Sequence, residues 1–304
     1  MKERRYKDGY YNHIYQRTIK RFNIFYDITD YLVYYTIVSV AVKKYAVSVL
    51  GLCLMIDHIH MLARASSKVV LSEFMSYVTS IFVREYNFSI GRRGPLFEER
   101  FGSAPKSDKK KLISAIIYIG NNPVERKVCL CAEQFRWNFL AYIHSDFPFS
   151  EPIIASKVSY RFKKVLKEVC YHRDNGRYLN YSILNRLLKG LTAIEKNQLV
   201  DYIITQYKVI DKDTLMRHFE DYAELLRSMH STTGSEYEIK EDFDRMSDDV
   251  YRDMIRLVGN IYGPVVRSSI VLKTEDKLQI ADVIRRQIAA PMWQIAKFLH
   301  LSNL

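Results

Sequence analysis

The run LMIDHIHMLAR, residues 54–64, places two histidines one residue apart among apolar side chains. A β-strand has a side-chain period of two, so His58 and His60 leave the same face of a sheet if this run is a strand. Two adjacent imidazoles on one face are either half of a metal site or an ordinary pair of hydrogen-bonded histidines. The run alone leaves both interpretations open.

The segments around this run alternate between strand and helix patterns. The spacing predicts strands at 10–18, 46–55, 58–65 and around Phe97, and helices at 30–45 after an Asp30 cap, at 71–87 after a Ser72 cap, and after a cap at Ser107 or Asp108. The order β-α-β-β-α-β-α indicates an α+β fold, an antiparallel sheet with helices packed mainly on one face. The strands at 46–55 and 58–65 are expected to pair through a tight turn.

The pattern changes near residues 144–152, after which it becomes almost entirely helical. We therefore predict a first domain over residues 1–147, a linker over 148–156 and an all-helical accessory domain over 157–304. The acidic stretch 231–249 is expected to loop out.

The last segment, residues 275–304, resembles the first two helices of a helix-turn-helix. It breaks near Ala290-Pro291, and Leu301-Ser302 would form the turn. The sequence stops at Leu304, where a recognition helix would begin. The motif is therefore either truncated or an accidental resemblance of two packed helices.

Composition favours a cytoplasmic protein. The 304 residues contain no apolar run of the roughly 18–20 residues that a membrane-spanning helix needs, and the start, MKERRYKDGYY, has no apolar signal region. Four cysteines lack CxxC spacing, and Cys129-Leu-Cys131 does not match the usual zinc-site pattern. We expect four reduced thiols and no membrane partner.

The net charge of +12 indicates a polyanionic partner, and its distribution is uneven. Residues 1–150 hold 22 Lys and Arg against 13 Asp and Glu, whereas the remaining 154 residues hold 24 against 21. The basic excess belongs to the part that carries the two histidines.

A second group of polar residues lies in ISAIIYIGNNPVERKV, residues 113–128, where Tyr118 and Asn122 are four residues apart on one helix face. Two imidazoles and an amide oxygen could hold a divalent metal that neutralises charge on a phosphodiester. A tyrosine beside it could attack phosphorus and form a phosphotyrosine. Taken singly, Tyr118 is equally a packing residue, and Asn122 a helix C-terminal residue before Pro123.

Three ordered motifs resemble those of the single-tyrosine HUH transposases, especially the REP-associated tyrosine transposases. The first motif contains His58-Ile59-His60, and the third contains Tyr118-Ile119 with Asn122-Pro123-Val124. The second motif contributes Gly94, Leu96, Phe97, Arg100, Phe101 and Ser103. HIYQR (13–17) is a smaller similarity. In place of the family's Pro-Asn before the first histidine stands Ile56-Asp57, which puts the catalytic rate in doubt.

The resemblance implies an HUH-type fold with a ferredoxin- or RRM-like antiparallel sheet. It implies that Tyr118 cleaves single-stranded DNA, leaving a 5′-phosphotyrosine, and that His58, His60 and Asn122 bind Mg²⁺ or Mn²⁺. The implied partner is single-stranded or hairpin DNA of palindromic REP type. A homodimer is possible, since members of the family include dimers and monomers.

Basic residues crowd around the proposed nucleophile in the sequence. Phosphate contacts there would make DNA binding depend strongly on salt, although Lys109–Lys111 fit a solvated face equally well. Tyr10, Tyr11 and Tyr15 could stack on bases or belong to the core. The predicted DNA-binding residues are Arg17, Arg92, Arg93, Arg100, Lys106, Lys109 and Lys110.

Three functions remain open at this point. The first is a metal-dependent endonuclease and strand transferase of the transposase type. The second is a domesticated or decayed relative that binds repeat DNA without cutting it. The third is a hydrolase that uses activated water, for which Asp57 is the nearby base, although strand alternation would turn it to the opposite face.

Overall fold

The computed structural model describes residues 5–19, 22–98, 101–231, 249–262, 274–288 and 290–301. Its first half follows the predicted order of strands and helices. The elements are β1 (Tyr11–Arg17), α1 (Ile28–Tyr45), β2 (Ser48–Leu54), β3 (His58–Arg64), α2 (Lys68–Ser89), β4 (Gly102–Lys106) and α3 (Lys109–Glu125). The predicted α+β class with an antiparallel sheet is confirmed.

The four strands form one antiparallel sheet in the order β2-β3-β1-β4. The histidine strand β3 is therefore interior, paired with β2 on one side and with β1 on the other. Its register with β1 places Tyr15 opposite His60 and Arg17 opposite His58. Because both neighbours hold β3 along its length, the two histidines occupy fixed positions on the sheet.

Helices cover both faces of the sheet. Ile59, Met61 and Ala63 of β3 share a hydrophobic cluster with α1 and α2. The alternate residue Leu62 packs with α3 on the other face, which is also the face of His58 and His60. The prediction that helices lie mainly on one face is therefore right for α1 and α2 but misses α3, which covers the histidine face.

Several element boundaries differ from the prediction. Helix α1 begins after Asp27, and Asp30 is the third residue of a reciprocal capping box with it. Helix α2 begins after Ser67 instead of Ser72. Asp108 caps α3, as one of the two predicted caps. Phe97 makes only an isolated bridge to Thr18, and the fourth strand lies beyond it at β4.

Eight helices follow in the described C-terminal residues, so the helical character of this region is confirmed. They are α4 (Tyr160–Asp174), α5 (Tyr181–Leu188), α6 (Ala193–Gln206), α7 (Lys212–Met216), α8 (Tyr222–Ser231), α9 (Asp249–Tyr262), α10 (Thr274–Gln287) and α11 (Met292–Phe298).

Helices α4 to α6 pack onto α1. Leu184 of α5 and Ile203 of α6 belong to the same hydrophobic cluster as Ile37 of α1. The segment predicted as a linker is held on α6, because Asp201 accepts hydrogen bonds from the Phe149 amide at 3.1 Å and the Ser150 hydroxyl at 2.8 Å. The domain division at residues 148–156 stays a prediction, while the two regions share one core.

Helices α9, α10 and α11 form a separate hydrophobic cluster that includes Met254, Ile284 and Ile295. Helix α11 also contacts the start of α1, where Lys297 Nζ lies 2.5 Å from Asp30 Oδ1. The helix-turn-helix interpretation of 275–304 stays a prediction, because Ser302 lies outside the described residues. The acidic stretch 231–249 lies outside them too, apart from its two end residues.

Candidate active site

His58 and His60 lie side by side on the face of β3 that α3 covers. Both side chains are buried, with 3% and 1% of the residue surface exposed. Their ring centroids are 4.9 Å apart and the ring planes are nearly perpendicular, at 82°. The side-chain period of the strand thus places both imidazoles on one face of the sheet, as the sequence predicted.

Asn122 joins the two histidines from α3. Its Oδ1 lies 3.1 Å from Nε2 of His58, and its Nδ2 lies 3.2 Å from Nε2 of His60. The side chain is fully buried and sits in the last turn of the helix, which continues through Pro123 to Glu125. The structure therefore brings the three predicted metal ligands together.

Two further residues hold the outer nitrogens of the histidines. Asp57 Oδ1 lies 2.5 Å from Nδ1 of His58, and His13 Nε2 lies 3.0 Å from Nδ1 of His60. Outer partners of this kind fix the orientation and tautomer of a metal-binding imidazole. The inner Nε2 atoms of both rings are thereby left facing Asn122.

The position of Asp57 corrects the prediction that strand alternation turns it away. Strand β3 begins at His58, so Asp57 belongs to the turn before it and follows no strand period. The carboxylate of Asp57 contacts the imidazole of His58 because the backbone bends in this turn. The Ile56-Asp57 pair, which is unusual for the family, thus gives His58 a charged partner.

His13 is a site residue that the sequence analysis did not single out. It lies on β1, is buried, and stacks on the ring of His60 with centroids 5.2 Å apart. Burial first, then the positive charges of His60 and Lys106, hold the pKa of His13 well below its usual value of 6.5. The motif HIYQR was the only signal for it, and only the pairing of β1 with β3 shows what it contacts.

The hydrogen-bond pattern of the cluster fits a bound cation. When Nδ1 of His58 donates to Asp57, Nε2 of the neutral ring carries a lone pair that faces the amide oxygen of Asn122. Two acceptors 3.1 Å apart need a proton or a metal ion between them. Two imidazoles and one amide oxygen suit Mn²⁺, and Mg²⁺ less well because it prefers oxygen ligands.

Tyr118 lies one helical turn before Asn122 and is packed against the same histidines. Its ring is edge-on to His13 and to His60, with centroid distances of 5.6 Å and 5.5 Å. Only 2% of the residue is exposed. The predicted nucleophile therefore lies next to the three predicted metal ligands, and its side chain is shielded from solvent.

The predicted DNA-binding residues occupy different environments. Arg93, Lys109 and Lys110 are exposed, and Lys106 is half-buried on β4, where desolvation and then Lys111 lower its pKa. Arg17 lies on β1 opposite His58. Arg100 lies outside the described residues.

Arg92 makes most of its hydrogen bonds within the loop between α2 and β4 and with the end of α2. Its guanidinium donates to the carbonyls of Gly94 and Pro95 at 3.0 Å and 2.7 Å and to Oδ1 of Asn87 at 2.9 Å. It also lies over the ring of Trp293, 5.0 Å from the centroid. These contacts order the loop between α2 and β4, so a DNA contact by Arg92 would compete with them.

Among the three tyrosines considered for base stacking, Tyr11 belongs to the core. It is 5% exposed, and its hydroxyl bonds that of Ser48 at 2.8 Å. Tyr10 and Tyr15 are half-buried. Of the two alternatives, base stacking or packing in the core, Tyr11 therefore follows the second.

Comparison with known proteins finds a similarity over the first part of the chain. Residues 6–122 match the family of IS200-like transposases. This segment is similar to IS200-like transposases. The family resemblance inferred from the three motifs is confirmed. The matched segment contains His58, His60 and Tyr118 and ends at Asn122, so it covers the whole cluster.

One solved structure is similar to part of this chain. It is that of a REP-associated tyrosine transposase bound to a REP hairpin, with a TM-score of 0.40 and 13% sequence identity. The similarity covers 45% of this chain and 81% of that one. No curated protein matches the chain.

Two expectations from composition concern the cysteines and the helices of the chain. All four cysteines are unpaired with one another in the structure, and the expectation of reduced thiols stays a prediction. Among the described residues, no helix is long and apolar enough to cross a membrane.

Proposed function

We propose that the chain is a metal-dependent single-stranded DNA endonuclease and strand transferase that uses Tyr118 as its nucleophile. One observation carries the proposal. Within the transposase segment, His58, His60 and Asn122 converge through atoms 3.1–3.2 Å apart, and Tyr118 packs against the same imidazole rings. Such a cluster would let a bound cation and a covalent nucleophile act on the same phosphate.

His58, His60 and Asn122 would hold Mg²⁺ or Mn²⁺, with Asp57 and His13 fixing the two imidazoles. When bound, the ion would act as a Lewis acid and neutralise charge that develops on the phosphate. The two outer partners keep the inner nitrogens aligned while DNA binds and leaves. Keeping the two imidazoles aligned requires a rigid support, which the buried strand β3 provides.

Tyr118 would exchange one phosphodiester for another. Its phenolic oxygen forms a bond to phosphorus as the bond to the 3′ oxygen breaks, which gives a 5′-phosphotyrosine. The phenolic proton is lost and the leaving 3′ oxygen gains one, so no external reagent is needed. The reverse reaction rejoins a strand without ATP, because the bond energy stays in the phosphotyrosine.

Access to the nucleophile is part of this proposal. With 2% of Tyr118 exposed, the side chain must be uncovered before a phosphate reaches its oxygen. We expect DNA to be captured first by exposed cations, which are Lys109 and Lys110 at the start of α3 and Arg93 in the loop between α2 and β4. Lys106 and Arg17 lie closer to the cluster. Single-stranded or hairpin DNA with imperfect palindromes is the proposed substrate.

The experiment is a cleavage assay on end-labelled single-stranded DNA that carries imperfect palindromes, with Mn²⁺ present. Products are resolved on a denaturing protein gel. A label transferred to wild-type protein and absent from Tyr118→Phe would support the proposal. Tyr34→Phe is the matched control, since Tyr34 is a buried tyrosine on α1, on the other face of the sheet.

Two results would contradict the tyrosine mechanism. Metal-dependent cutting that survives in Tyr118→Phe would point to activated water. Salt-sensitive binding of the palindromic DNA without any cutting by the wild type would favour a domesticated DNA-binding relative.

A further inference from the structure

Cys131, Glu133 and His230 form a cluster of metal-binding side chains outside the transposase site. One ligand atom from each lies within 4.8 Å of the others. Nε2 of His230 is 3.1 Å and 3.2 Å from the two carboxylate oxygens of Glu133. Tetrahedral zinc, with bonds of about 2.0–2.3 Å, separates its ligand atoms by roughly 3.3–3.8 Å. The distances between His230 and Glu133 are therefore close to those of a zinc site, and the Cys131 sulfur lies within about 1 Å of the required spacing.

The cluster joins two parts of the chain that are far apart in sequence. Cys131 and Glu133 lie in the segment after α3, at a short 3₁₀ helix (Ala132–Gln134), and His230 is near the end of α8. Helix α8 packs closely on α3. Asn121 Nδ2 donates to the Met229 carbonyl at 2.7 Å, and a Cβ on Gly120 would lie 2.6 Å from Met229 Sδ.

We propose that Cys131, Glu133 and His230 bind Zn²⁺ and thereby fasten α8 to the segment that follows α3. Thiolate and imidazole ligands select Zn²⁺ over Mg²⁺ and Mn²⁺, so this site takes a different metal from the His58–His60 cluster. Met229, the neighbour of His230, bonds to the residue before Asn122. The zinc therefore stabilises the turn of α3 that carries the proposed metal ligand. The site stands whether or not the chain cuts DNA.

The test uses the full chain, freed of metal and reduced, and titrated with Co²⁺. A thiolate ligand gives Co²⁺ a near-ultraviolet charge-transfer band, and a tetrahedral site gives it strong visible bands. We expect both in the wild type and in the His58→Ala/His60→Ala double variant, because the transposase cluster contains no thiol. Both should be lost in Cys131→Ser and in His230→Ala. Added Zn²⁺ should remove the bands. In the His58→Ala/His60→Ala background, where the first metal site is absent, Zn²⁺ should raise the Tm when Cys131 is present but not when Cys131→Ser is added.

Cys170→Ser is the matched control, since Cys170 Sγ contacts the Tyr202 hydroxyl at 2.9 Å and lies on α4. It should keep the cobalt bands. Circular dichroism checks that each variant is folded. If Cys131→Ser does not fold, Glu133→Gln replaces it. Loss of the ligand charge should weaken Co²⁺ binding by at least about 10- to 100-fold. That is the loss of affinity typical when a metal ligand loses its hydrogen-bond partner.

A wild type without a thiolate–cobalt band would overturn the proposal. So would a band that survives in Cys131→Ser, or in His230→Ala at unchanged affinity. None of these results bears on Tyr118, so failure of the zinc site and failure of the cleavage mechanism are distinguishable.

Discussion

Replacement of Asp57 by asparagine removes the charge that faces His58 and keeps the size of the side chain. In the wild type, Oδ1 of Asp57 lies 2.5 Å from Nδ1 of His58, and both side chains are 5% exposed or less. Water can therefore not replace the carboxylate. Loss of an outer partner of a metal-binding histidine costs about 10- to 100-fold in metal affinity, or about 1.4–2.7 kcal/mol.

We expect the Kd for Mn²⁺ of Asp57→Asn to rise by that factor. Formation of the Tyr118–DNA adduct should recover at saturating Mn²⁺, because Asp57 contacts His58 and none of the reacting atoms. Electron paramagnetic resonance of free Mn²⁺ measures the Kd, and the adduct assay is repeated over a range of Mn²⁺ concentrations. Asp146→Asn, which alters an exposed carboxylate, is the control.

Two outcomes would refute this reasoning. An unchanged Kd for Mn²⁺ would show that the Asp57 contact does not support a metal ligand. Adduct formation that stays low at every Mn²⁺ concentration would show that Asp57 takes part in the reaction itself.

Three further predictions concern stability and DNA binding. Because the pKa of His13 is well below 6.5 in the folded chain, the unfolded chain binds more protons below that pH. Stability should therefore fall by up to about 1.4 kcal/mol per pH unit as the pH drops from about 6.5, and His13→Gln should flatten this slope in urea unfolding. Lys297→Met leaves the buried Asp30 carboxylate without its cation and should cost about 3–5 kcal/mol, part of which the additional change Asp30→Asn restores in the same assay. Lys109→Gln/Lys110→Gln should lower the slope of log affinity for single-stranded DNA against log salt by about 1.4, measured by fluorescence anisotropy, and an unchanged slope would remove both from the interface.

The sequence by itself determined the features that depend on local period. Alternation along a strand puts His58 and His60 on one face, and a spacing of four puts Tyr118 and Asn122 on one face of a helix. The element order followed from the same periods, and the three motifs indicated the resemblance to the transposase family. Helix starts were less accurate, because Asp30 and Ser72 look like caps while the hydrogen bonds are made by Asp27 and Ser67.

Only the tertiary structure decided which residues meet. His13 contacts His60 because β1 pairs with β3. Asp57 contacts His58 because it lies in a turn, where side chains do not alternate between the two faces of the sheet. Cys131 and His230 are 99 positions apart and meet because α8 packs on α3. No local pattern encodes such contacts, since they depend on how separate elements bury their apolar faces against each other. The sequence therefore indicates the chemistry of the site, and packing supplies the partners that orient it.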